Sequence, residues 1–162
     1  MKAIFLALLL SCTILMANAQ NAAIDKVTTS YIGVKNALVG SNAALAKTRS
    51  AELLEALSAP VKGLKPAQQK LLATYLDKLK FDSRHISQTT VIDHQREHFE
   101  SLSKNMYSLL SALKLNGTTL YQQYCPMKRA AWLSETEGIR NPYYGDDMLD
   151  CGKVTATLKV TK

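Results

Sequence analysis

The sequence predicts a mainly α protein: an antiparallel four-helix bundle with a short, loop-rich C-terminal cap that contains a few β residues. Three observations predict it. Apolar residues recur at spacings of three and four in four successive stretches between residues 22 and 114. The breaks between them are short and carry helix-stopping or helix-capping residues, so neighbouring helices run antiparallel. From Thr118 the texture changes to β-formers, aromatics and turn residues.

Ile24, Val27, Tyr31, Val34 and Leu38 make one stripe of the first helix, and Gly40-Ser41-Asn42 ends it and offers a cap for the next. The second helix is expected from about Ala43 to Leu57, with Ala46, Leu53 and Leu57 inward. Pro60, Gly63 and Pro66 mark the connection, and Pro66 suits the first turn of a third helix. That helix carries Leu72, Tyr75, Leu79 and Ile86 to about Gln88. After Thr89-Thr90, Ile92, Phe99, Leu102, Met106, Leu109 and Leu113 keep the rhythm of a fourth helix, which Asn116-Gly117 is expected to stop. Two stretches in the cap, Thr118 to Tyr124 and Val154 to Val160, read as strand residues.

Residues 1–19 read as a removable export signal. Met1-Lys2 is a basic start, Ala3 to Met16 is almost wholly apolar, and Ala17-Asn18-Ala19 is a small-x-small cleavage pattern. The apolar run is short for a spanning helix, so no transmembrane segment is expected in the mature chain, 20–162. The expected location is periplasmic. Lipidation at Cys12 is the lesser alternative, because the apolar run continues past it through Ile14, Leu15 and Met16. Residues 20–162 suit a single domain, with the bundle at 22–114 and the cap at 118–162. The formal charge of +7 is scattered rather than clustered, which argues against a nucleic-acid partner.

The residues with chemistry lie in the cap. Cys125, Met127, Met148 and Cys151 put two thiols and two thioethers in one short segment, a soft-ligand set that selects Cu(I) or Ag(I) over hard cations. In an extended strand Cys125 and Met127 would share a face, and in one helical turn so would Met148 and Cys151. A competing reading stands beside it. After export Cys125 and Cys151 are two cysteines in an oxidising space, where a structural disulfide is worth about 3 kcal/mol of loop entropy and the methionines are core filler.

Several motifs here resemble a known bacterial family. Tyr121-x-x-Tyr124-Cys125-Pro126-Met127, Trp132-Leu133-Ser134, Ile139-x-Asn141-Pro142-Tyr143-Tyr144-Gly145 and Met148-Leu149-x-Cys151-Gly152 resemble the signature of domain of unknown function 3347, as does Gln95-Arg96-x-x-Phe99-x-x-Leu102-Ser103 in the fourth helix. The resemblance runs from about Tyr31 to Val154. It implies an exported helical domain, found alone or joined to copper and silver efflux adaptors, so that an envelope efflux adaptor or metal-transfer partner is expected. Cys-Pro-Met also resembles a heavy-metal motif in which His-Pro follows; Lys128-Arg129 stand there instead.

His94 and His98 are four apart and could chelate one ion from a single helix face, but both lie on the flank of the apolar stripe, where solvated histidines are the competing reading. A closed zinc site would need further ligands, and none stands at a recognisable spacing. Were the cap to fold back on that flank, His98 could complete a sulfur site. Trp132, Tyr143 and Tyr144 read as packing rather than as a ligand-stacking surface. Gly-x-Ser-x-Gly, His-Glu-x-x-His and glycine-rich phosphate loops are absent from the sequence, and no base is identifiable to activate Cys125. The expectation is a binding protein, not an enzyme.

Overall fold

The computed structural model describes residues 22–160. The leader read at 1–19, with Cys12, lies outside the described residues. Four helices and a small antiparallel sheet follow: α1 over 22–39, α2 Ala43–Ser58, α3 Pro66–Gln88, α4 Ile92–Leu113, β1 Leu120–Cys125, β2 Ala130–Ser134, a 3-10 turn Gly145–Met148, and β3 Lys153–Leu158. Among the described residues no helix is long and apolar enough to cross a membrane.

The helix boundaries have local causes. The Asn42 side chain accepts from the Leu45 N–H at 2.9 Å, capping α2. Pro66 opens α3 where its missing N–H costs nothing, and the Lys65 N–H donates to Gln68 Oε1 at 3.0 Å. Between α3 and α4 only Thr89, Thr90 and Val91 intervene, folded by a Val91 N–H bond to Thr89 Oγ1. The stop of α4 differs from expectation. Lys114 takes the left-handed conformation at φ 53 and returns its N–H to Leu110 O. Gly117, three residues on, instead donates its N–H to Asp25 Oδ1 at 2.7 Å and ties the exit of α4 to α1.

The predicted stripes form the core: Val27, Tyr31, Val34, Leu38, Leu53, Leu79, Ile86, Phe99, Leu102, Met106 and Leu109 are buried. At roughly 25 cal/mol per Å² of apolar surface removed from water, each large side chain here contributes about 1.5–3 kcal/mol.

The sheet order is β2-β1-β3, with Cys125 opposite Ala130 and Tyr124 opposite Lys153, so β1 is central and ends at the hairpin turn 126–129. β2 was not foreseen as a strand. Four of its five residues are buried, Trp132, Leu133 and Ser134 in succession, so both faces of the strand are covered, α4 packing against it, and the alternation that announces a strand is lost.

The motif residues of α4 and the cap are the joint between the two layers. Tyr31 on α1 stacks on Phe99 at 5.4 Å, shares a 2.7 Å hydrogen bond with Ser103 Oγ, and accepts the Leu133 N–H at 3.1 Å. Burial pushes the Tyr31 phenol well above its ordinary value, so it stays neutral. Tyr143 packs against Phe99 and Trp132 and donates its hydroxyl to Ala131 O at 2.7 Å. Arg96 Nε donates to Pro142 O at 3.1 Å and its Nη2 to Ser41 Oγ at 3.0 Å. Gly145, at φ +57, sits against that same pair, and a Cβ there would meet Ser41 Oγ and Arg96 Nη2. Lys35, buried on α1, pairs with Glu135 Oε2 at 3.1 Å. The aromatic set is therefore packing, as the sequence suggested.

Candidate functional site

Two constellations emerge from this frame. The first is in the cap. Cys125 ends β1, and Cys151 stands just before β3, which returns alongside β1. Their Sγ atoms are 3.3 Å apart, and both are free thiols. The buried Asn141 amide holds the second half in place: its Nδ2 donates to Cys151 O at 2.9 Å while its Oδ1 accepts the Tyr143 N–H at 2.8 Å. Around the sulfurs the Cys-Pro-Met turn presents backbone donors, the Lys128 N–H reaching Cys125 Sγ at 3.5 Å.

These donors decide which sulfur carries charge. Burial pushes the Cys125 thiol up, but the Lys128 N–H, the Cys151 thiol and the Asn141 side chain outweigh it and hold Cys125 below the ordinary thiol value. Cys151 is pushed up, chiefly because it donates its hydrogen bond to Cys125. The pair is thus built to lose one proton below the ordinary thiol value and to hold the other above it, with the hydrogen bonds around Cys125 favouring charge on that sulfur.

The thioethers are placed differently from the thiols. β1 ends at Cys125, so Met127 lies in the hairpin turn rather than along an extended strand, and it is 64 % exposed. Met148 ends the 3-10 turn, and the Cys151 N–H closes back to its carbonyl at 3.1 Å, the single turn that the spacing anticipated; Met148 is 39 % exposed. Neither thioether is a hydrogen-bond partner of a thiol among the described residues.

The second constellation lies on the other flank of α4. His85 on α3 with His94 and His98 on α4 bring three imidazoles together, and their ligand nitrogens all lie within 4.8 Å of one another. This group could hold a metal ion. His85 and His98 stack at 4.4 Å, and His94 meets His98 at 4.7 Å. Asp82, buried on α3, is 3.1 Å from His98 Nδ1. Phe81 covers the trio, 4.4 Å from His85 and 5.8 Å from His98.

His98 turns toward Asp82 on α3, whereas Arg96 and Phe99 on the same helix contact the cap, and Lys128 of the cap reaches Glu100 at 3.6 Å. Among the described residues no cysteine joins the histidine group, so His94 and His98 stand apart from the Cys125–Cys151 pair. His85 and Asp82 escaped the sequence reading. The signal was the three-residue link between α3 and α4: in so tight a helical hairpin, residues equally far from the turn come together, as Asp82 and His98 do, and His85 one turn nearer the link then meets His98 as well.

Fold and sites together define a small helical-bundle domain whose cap carries a dithiol and whose third and fourth helices carry a histidine trio. The chain belongs to the family described as "Protein of unknown function (DUF3347)", whose model matches residues 27–118. That span covers most of the bundle and all three histidines, and stops where the cap begins. No curated protein and no solved structure matches the chain.

Proposed function

We propose that the protein is an exported metal-binding domain of the bacterial envelope that captures Cu(I), with Ag(I) as its chemical analogue, at Cys125 and Cys151. The observation that carries this reading is the pair of free sulfurs 3.3 Å apart, held by a turn whose N–H groups favour a thiolate. A thiolate and a neighbouring thiol are soft donors, and a soft monovalent ion is the cation they prefer. Cys125 makes the first bond as the readily ionised sulfur. Cys151 gives up its proton when the metal arrives, so capture releases protons. Met127 and Met148, exposed on the segments beside the two thiols, are suited to receive the ion and to pass it to a partner by ligand exchange. The family resemblance supports a copper or silver efflux adaptor as that partner. The leader pattern at 1–19 supports export to the periplasm, with lipid attachment through Cys12 as the alternative form.

The same approach of the two sulfurs favours a second reading. In an oxidising compartment the pair can pass two electrons and two protons to an external oxidant and become a disulfide, which would staple β1 to the segment before β3. The protein would then be an envelope interaction module. Thiol titration and intact mass of the purified protein, with and without reductant, combined with Cu(I) competition against a chromophoric chelator, separate the two. Tight one-to-one Cu(I) binding that Cys125→Ser abolishes and Met148→Leu weakens supports capture. A bond that resists mild reduction, with no Cu(I) uptake by the reduced chain, supports the staple and removes the capture reading.

A further inference from the structure

We propose that His85, His94 and His98 form a second metal site, for a borderline divalent ion such as Zn²⁺ or Cu²⁺, with Asp82 as the residue that positions His98. Three features carry it. The first is convergence: helices α3 and α4 each turn an i, i+4 pair toward the other, Phe81 with His85 and His94 with His98, and all three imidazoles meet within 4.8 Å. Three nitrogens bound tetrahedrally to one zinc at about 2.1 Å lie about 3.4 Å apart, so side-chain rotations that move the ring nitrogens by about an ångström close the set. His94, with 44 % of its side chain exposed, is free to make that movement.

The second feature is the partner behind the ligand. Asp82 has only 5 % of its side chain exposed, and its hydrogen-bond partner among the described residues is His98 Nδ1 at 3.1 Å. A carboxylate accepts, so in the neutral ring that a metal requires, Nδ1 carries the hydrogen and Nε2 offers its lone pair. A carboxylate set behind an imidazole in this way fixes the tautomer and ring orientation that a metal ligand needs. A dication on the far side of the ring also answers the charge of the buried carboxylate.

The third is the surroundings. Phe81 shields one side of the trio, and the partly exposed His94 opens the other to solvent. Three nitrogen donors leave a coordination position for water or for a donor from another molecule. Imidazole nitrogen suits Zn²⁺, Cu²⁺ and Ni²⁺ rather than Mg²⁺ or Ca²⁺, and the site is chemically separate from the dithiol on the opposite flank of α4.

The test uses the whole chain with Cys125→Ser and Cys151→Ser, which silences the sulfur site. Titration with Zn²⁺ against a chromophoric chelator is expected to give one bound equivalent. His94→Ala and His98→Ala should each weaken it at least ~10-fold, and Asp82→Asn by ~10–100-fold. Co²⁺ substitution should give visible bands of a nitrogen-ligated site, shifted in Asp82→Asn and restored toward the parent in Asp82→Glu. That spectral change marks positioning, since a purely structural loss would not move it. His94 is the control for folding, being the most exposed of the three. The proposal is overturned if the Cys125→Ser, Cys151→Ser chain binds no Zn²⁺, or if His94→Ala and His98→Ala leave its affinity unchanged.

Discussion

The two flanks of α4 solve the same problem by different routes. On one, Arg96, Phe99 and Ser103 reach toward the cap and, with Tyr31, fix the sheet that carries Cys125. On the other, His94 and His98 meet His85 across a three-residue turn. The sulfur pair is long-range: its two halves come from opposite ends of the cap and depend on the sheet register and on Asn141. The histidine trio is short-range and is brought together by the α3–α4 hairpin. A site of the first kind is lost when the cap lifts from the bundle, whereas one of the second kind survives as long as two helices stay paired. The donor chemistry divides the same way, soft sulfur in the cap and borderline nitrogen in the bundle.

The strongest way to break this comparison is to remove what both flanks share. Phe99 is fully buried between Tyr31 and Tyr143, so Phe99→Ala should cost about 3–5 kcal/mol in urea unfolding and damage both sites together. Loss of only one site would show that the two do not share this core residue. A smaller change separates them. Tyr31→Phe strands the buried Leu133 N–H and should cost about 1–3 kcal/mol. Hydrogen exchange should quicken in β1 and β2 while α3 and α4 keep their protection; uniform loosening would contradict the division.

Two gentler probes sharpen the electrostatics. Thiolate absorbance followed with pH should show one proton leaving the dithiol below the ordinary thiol value and the second above it, and Cys151→Ser should merge this into a single step. The smallest effect concerns the α1–cap ion pair. Burial pushes the Glu135 carboxyl up, but its backbone bond, the Lys35 ammonium and the Asn36 amide outweigh this and hold it below its ordinary value of 4.5. Its contribution to stability is therefore complete above 4.5 and is lost as the pH falls through the lower folded value. Lys35→Met should flatten that acid limb of the unfolding curve, and an unchanged limb would exclude Glu135 as its source.

Most of the bundle was legible because a three-four rhythm reports directly on which side of a helix is covered: Leu38, Leu53, Leu79 and Leu109 are all core. The end of α4 was not, since Lys114 adopts a left-handed conformation for which glycine is the usual signal. β2 was hidden by burial on both faces. Of the sites, the sequence marked the cysteines by type and spacing, but whether they meet is a matter of sheet register, which periodicity does not encode. His85 was missed for the opposite reason. Its partners are near in sequence, yet the pairing lies between helices, and a search for spacing within one helix passes over it.

Cu(I) competition on the fully reduced chain, compared with Cys125→Ser, tests the central claim most directly. The dithiol reading predicts one tightly held Cu(I) per chain, lost in Cys125→Ser and retained when His94 and His98 are replaced by alanine. Equal Cu(I) affinity in the parent and Cys125→Ser would contradict it.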